Sequence, residues 1–167
     1  WDATASYSAG TSRGPELIRT CSHQLDAEDP FFDRPYRSGL SWLMPPKNCI
    51  DSEKLRRSDP ESLNPVSQEL TAEIRRICQS YVDQKKTVGI VGGEHSVPLG
   101  LLQELDKFHQ KNATGGFGIL HIDAHYDLRQ AYEGYQQSHA SILYNALETC
   151  GQIETVVHVG IRDYSRE

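Results

Sequence analysis

The segment Phe117-Gly118-Ile119-Leu120-His121-Ile122-Asp123-Ala124-His125-Tyr126-Asp127 runs from an apolar stretch into alternating ligand-type residues. The apolar half reads as a strand, Phe117 to Ile122, entered through a turn at Gly115-Gly116. In an extended segment, side chains at i, i+2 and i+4 point to one side. Asp123, His125 and Asp127 are therefore expected to converge at the strand's carboxyl end. Two carboxylates and an imidazole suit a divalent metal of mixed oxygen and nitrogen preference, such as manganese or nickel. Upstream, the apolar run Val88 to Val91 leads into Gly92-Gly93-Glu94-His95-Ser96, so His95 is a further candidate ligand. Downstream, Ser138-His139-Ala140-Ser141 supplies another imidazole. Ligand-type residues gathered at strand ends read as a metal-assisted hydrolase.

Around this segment, helical and strand patterns alternate, which points to an α/β fold with a parallel sheet. Gly14-Pro15-Glu16 has proline in a first helical turn. Residues 26–65 are rich in Pro, Asp and Ser and read as irregular connection with at most a short strand. Val66, Leu70, Ile74, Ile77, Tyr81 and Val82 recur at helical spacing. Thr87 to Val91 is expected as a short buried strand. Ser96-Val97-Pro98 is expected to open a second helix, with Leu101, Leu102, Leu105 and Phe108 as its apolar face. Ser141 to Thr149 reads as a third helix, with Ile142, Leu143, Ala146 and Leu147 inward, and Thr155 to Val159 as the last strand. In open α/β sheets, sites form beyond the carboxyl ends of the strands, where His95 and Asp123 to Asp127 fall.

The chain has 167 residues, enough for one domain with a real core. Its net charge of −6, with no basic run, argues against nucleic acid as the main partner and would not repel a cation. No apolar run is long enough to span a bilayer, so no membrane partner is expected. The glycines at 89, 92 and 93 lack the spacing of a phosphate-binding loop. None of Cys21, Cys49, Cys78 and Cys150 forms a Cys-x-x-Cys pair, and reduced, mostly buried thiols in a cytoplasmic protein are expected. The chain begins at Trp1 and is read as an internal piece of a longer protein. His121 and His158 are expected in supporting or core roles, His23 and His109 at the surface.

Gly-Gly-Glu-His-Ser, Asp-Ala-His-Tyr-Asp and Ser-His-Ala resemble, in this order, the motifs of the ureohydrolases, the family of arginase and agmatinase. The opening Trp1 to Thr11 and the closing Val159-Gly160-Ile161-Arg162 fit the same family, so the resemblance spans nearly the whole chain. It implies a three-layer α/β/α sandwich with a mainly parallel sheet, here truncated. It also implies two metal ions, manganese or alternatively nickel, and hydrolysis of a small cationic guanidino compound to urea. On this resemblance Asp123 bridges both metals, His95 and Asp127 bind one, and His125 binds the other. His139 stays off the metals and passes a proton to the leaving amine. The family's later Asp-x-Asp ligands and its guanidinium-holding Glu have no counterpart here and are expected beyond Glu167. The fragment by itself is then expected to bind metal weakly and to be inactive. The resemblance further implies a homo-oligomer, trimeric or hexameric.

Two departures from the family bear on substrate and metal. Tyr135 to Ser141 lacks an Asn-x-His arrangement, which favours a substrate without an amino-acid head: agmatine, a guanidino acid or a small guanidine. Glu94 replaces the usual Asp, and is expected to adjust a hydrogen bond behind His95. Two other readings stay open at this point: a formiminoglutamase- or deacetylase-type hydrolase on the same fold, and a non-catalytic metal-binding scaffold.

Overall fold

The computed structural model describes residues 1–8, 10–26, 28–32, 34–43, 52–56 and 58–164. Two parallel strands carry the ligand-bearing loops. β1 is Phe117–Ile122 and β2 is Ile153–Val159, paired from Gly118 opposite Thr155 to Ile122 opposite Val159. A parallel pair needs a crossover, and helix α5, Ile142–Thr149, lies in that crossover. β2 begins two residues earlier than its β-branched run suggests, because Phe117 N–H also bonds the Gln152 carbonyl at 2.8 Å.

The sheet's inner face is covered by two helices. Leu99, Ile142, Leu143 and Ala146 form the buried core, with Leu102, Ile119, Ile153 and Val156 packed against it. α4, Leu99–Asn112, thus contributes Leu99 and Leu102 to the sheet-facing core. The opposite face carries Leu120, Ile122, Val157 and Val159, all exposed among the described residues. Parallel sheets are typically apolar on both faces, and these strands follow that pattern.

α3, Pro60–Asp83, packs along α4. Its start corrects the expectation of a helix from Val66. Asp59 caps the helix, accepting from Ser62 N–H at 2.9 Å, and Pro60 occupies the first turn. This cap signal extends the helix six residues ahead of the apolar periodicity. Close approach of α3 and α4 occurs at Gly100, where a Cβ would stand 2.5 Å from the Thr71 carbonyl oxygen. Beside it, the buried Glu104 is paired with Arg75 at 3.2 Å.

Four further expectations are corrected. Thr87 to Val91 forms no strand among the described residues, and Val91 is exposed. No described strand lies beside it to complete a ladder. The second helix begins at Leu99, because 95–98 make a turn that carries His95 toward the sheet edge. Leu101, Leu105 and Phe108 are only half-buried, since α4 turns Gly100 and Glu104 to α3. Leu147 faces solvent. His109 lies at the surface as expected, with Nδ1 2.9 Å from the Gly115 carbonyl and its ring stacked on Phe117. α1, Gly14–Cys21, lies where its proline predicts. Cys21, Cys78 and Cys150 are free thiols, the last two buried, while Cys49 lies outside the described residues.

Candidate metal centre

The loops after β1 and β2 are zipped together by backbone bonds at the first ligand. Asp123 N–H bonds the Val159 carbonyl at 3.0 Å, and Arg162 and Asp163 N–H bond the Ala124 carbonyl at 3.0 and 3.2 Å. The strand nevertheless ends at Ile122, and Asp123 to His125 form a bend. This corrects the alternate-residue geometry expected from an extended segment. The cause is local: Asp123 Oδ1 accepts the N–H of His125 at 2.8 Å, a side-chain turn that folds the backbone over. Asp127 then takes a left-handed conformation, φ +52°, which aspartate tolerates better than most residues. Its carbonyl receives the N–H groups of Leu143 and Tyr144 at 3.1 and 3.4 Å. The first turn of α5 thereby locks Asp127, whose side chain is buried.

Three expected ligands come together across this bend. His95 Nδ1 lies 3.1 Å from Asp127 Oδ2 and 3.3 Å from Asp123 Oδ2. One ligand atom from each of His95, Asp123 and Asp127 lies within 4.8 Å of the others, so these three could hold a cation. His125 sits outside that group, on the other side of the Asp123 carboxylate. Its Nδ1 is 3.4 Å from Asp123 Oδ1, and its Nε2 is 3.3 Å from Asp163 Oδ2. Asp163 was not singled out from sequence. The parallel register would have found it, because the residues after β2 run beside those after β1.

His121 stands behind Asp127, Nε2 to Oδ2 at 3.6 Å, and its Nδ1 is 3.2 Å from His158 Nδ1. Tyr126 packs edge-on against the His158 ring. The charges of the site follow from these neighbours. Asp127, hydrogen-bonded to the ring, raises the His95 pKa against the effect of burial, with help from Asp123. Burial lowers that of His121. For Asp123, burial pushes upward but is outweighed by the His125 N–H and the imidazoles of His95, His121 and His125, so the pKa falls.

His139 lies outside this cluster, opening a short turn, His139–Ser141, that leads into α5. Its Nε2 is 3.3 Å from the Ser6 hydroxyl, and its Nδ1 faces Glu94 Oε2 at 3.5 Å. The Glu94 carboxylate raises its pKa. Glu94 therefore serves His139, which corrects the expectation that it stands behind His95. The turn at 95–98 swings the His95 ring toward the aspartates and leaves the Glu94 side chain pointing the other way.

The first residues of the chain close the far side. Glu94 N–H bonds the Trp1 carbonyl at 3.0 Å, and Thr4 Oγ1 donates to Glu94 Oε1 at 2.7 Å. Gly93 permits this approach, since a Cβ there would meet the Trp1 carbonyl oxygen at 1.8 Å. Asp2 is 2% exposed and accepts hydrogen bonds from the N–H groups of Gly10 and Ser12 and the Ser52 hydroxyl.

A match to the model of the arginase family runs over residues 1–167, the full chain. The chain belongs to the arginase family. Among curated relatives, an agmatinase of Halalkalibacterium halodurans is 30% identical over 171 residues, covering 99% of this chain and 51% of that protein. An N(1)-aminopropylagmatine ureohydrolase of Thermus thermophilus is 29% identical, covering 100% and 50%. The chain thus spans about half the length of the curated relatives it matches. The solved agmatine ureohydrolase of Thermoplasma volcanium aligns with a TM-score of 0.67 at 22% identity, over 98% of this chain and 48% of that one. The parallel pair and its helices accordingly belong to the arginase-type α/β fold. No helix among the described residues is long and apolar enough to cross a membrane.

Proposed function

We propose that this chain forms part of a single metal-hydrolase domain that cleaves a small cationic guanidino compound, agmatine or a similar guanidine, and releases urea. One observation carries the reading. The two oxygens of Asp123 face opposite imidazoles, Oδ2 toward His95 and Oδ1 toward His125. A carboxylate placed so can serve two cations at once, with His95 and Asp127 completing one side and His125 the other. The donor set of carboxylate oxygens and imidazole nitrogens fits manganese or nickel. Relatives about twice as long leave room for further ligands elsewhere in the full-length protein.

A guanidinium carbon is a poor electrophile because its charge is delocalised. Bound metals would supply a water acidic enough to attack it at neutral pH. The residues of this chain do the rest. Asp127 is locked by α5 and holds its carboxylate in place. His139, outside the metal cluster, delivers a proton to the departing amine. The chain's negative charge does not oppose a cationic substrate.

The test is metal content and urea release from agmatine in the full-length protein. About two ions per chain and loss of activity in Asp123→Asn beyond that of His95→Ala or His125→Ala support the reading. His139→Ala should keep its metal yet lose roughly 10²–10⁴-fold in turnover. One zinc per chain, unaffected by Asp123→Asn, would favour a deacetylase-type hydrolase instead.

A further inference from the structure

Two polar atoms at the edge of the site are shut away from solvent and have no hydrogen-bond partner among the described residues: Glu94 Oε2 and His139 Nδ1. They face each other at 3.5 Å. Buried polar atoms are almost always paired, so a facing orphan pair asks for an explanation. The surroundings of Glu94 supply it. Its other oxygen, Oε1, accepts from both the Thr4 and the Ser96 hydroxyls. Those two donors fix the carboxylate's rotation and leave Oε2 aimed at the imidazole. An ionised carboxylate only accepts hydrogen bonds, so the partner that satisfies Oε2 must donate. Nδ1 can do so only with a proton on it. At 3.5 Å the two atoms stand a few tenths of an ångström beyond ordinary hydrogen-bond length.

We propose that Glu94 is a positioning residue that holds His139 as its Nδ1–H tautomer. Nε2, in contact with the Ser6 hydroxyl, is then the nitrogen that takes up or releases a proton. Carboxylates behind working histidines set ring orientation and tautomer in this way without touching substrate. The contacts of Ser6 with His139 and of Thr4 with Glu94 make the chain's opening segment part of the site, held there by the Trp1–Glu94 backbone bond. The assignment rests on the proposed proton role of His139.

The experiment is ¹⁵N NMR of histidine-labelled, chelator-treated full-length protein at about pH 9, where histidine is ordinarily neutral. Wild type should show His139 with a protonated Nδ1 and a bare Nε2, the reverse of the form histidine favours in water. Glu94→Gln should invert this. The amide oxygen would be claimed by Thr4 and Ser96, its NH₂ would face Nδ1, and the proton would move to Nε2. Glu94→Asp, which keeps the charge, should retain the wild-type tautomer. With metal restored, Glu94→Gln should bind it as wild type does and lose roughly 10–100-fold in kcat for urea release. An Nε2–H tautomer in wild type overturns the proposal even if Glu94→Gln fails to fold, and so does a Glu94→Gln spectrum identical to wild type. The expected tautomers without urea release would sink the proposed function but leave the Glu94–His139 pairing. Urea release with the wrong tautomer would do the opposite.

Discussion

Asp2→Asn removes one charge from a nearly sealed pocket, and its cost can be worked from three contacts. Oδ2 accepts the N–H groups of Gly10 and Ser12 at 3.0 and 3.2 Å, and Oδ1 accepts the Ser52 hydroxyl at 2.8 Å. An asparagine has only one oxygen. With its oxygen at the Oδ2 place, its NH₂ faces the Ser52 hydroxyl, which can turn to accept; turned the other way, the NH₂ meets two N–H donors. Even in the better orientation three bonds to a charged group become neutral ones, so about 2–3 kcal/mol of stability should go at neutral pH. Burial would raise this carboxyl's pKa, but the Ser52, Ser12 and Gly10 bonds outweigh it and bring it from 3.8 to about 2. The native state then binds fewer protons than the unfolded chain, so the contribution is complete above about pH 5 and is lost as pH falls through about 4 to 2. That shift corresponds to about 2 kcal/mol, somewhat less after screening, because the site lies close under the surface. Urea denaturation followed by tryptophan fluorescence and circular dichroism reads both effects. The gap between wild type and Asp2→Asn should be widest at pH 7 and narrow by about 1.5 kcal/mol at about pH 2.5. A gap below about 0.5 kcal/mol at pH 7, or one that does not change with pH, would refute the reasoning.

Gly93→Ala should cost about 2–4 kcal/mol, because its Cβ drives the Trp1 carbonyl away and breaks the Glu94–Trp1 backbone bond; unchanged tryptophan emission and stability would count against that contact. Leu99→Ala empties a core position that is 1% exposed and should cost about 2–5 kcal/mol by chemical denaturation. Manganese at about 100 times its Kd should stabilise the full-length protein by about 2.7 kcal/mol, seen as a raised melting temperature that a chelator reverses. In Asp127→Ala the rise should shrink or vanish, and an undiminished rise would place the metal elsewhere.

Some of this protein is local chemistry that its residue order specifies. β1 lies on the expected Phe117 to Ile122, because an apolar run bounded by Gly115-Gly116 and Asp123 has no competing pattern. α1 and the 142–149 helix likewise follow from Pro15 and from apolar spacing. The ordered Gly-Gly-Glu-His-Ser, Asp-Ala-His-Tyr-Asp and Ser-His-Ala motifs were enough to indicate the family, since each is short and contiguous. The α3 start was also written locally, in Asp59-Pro60, but apolar periodicity is blind to a polar first turn. What tertiary structure alone decided is where side chains point. A period-two argument cannot register an aspartate folding the chain onto its own neighbour, as Asp123 does with His125. Nor can it show that α5 locks Asp127, or that the strand loops zip Asp163 against His125. The role of Glu94 depended on contacts ninety residues apart with Thr4 and on His139 arriving from the α5 side. Such contacts arise only when the chain's opening segment, the His95 turn and the sheet edge are packed together, because burial then leaves each polar atom only the neighbours packed against it as partners.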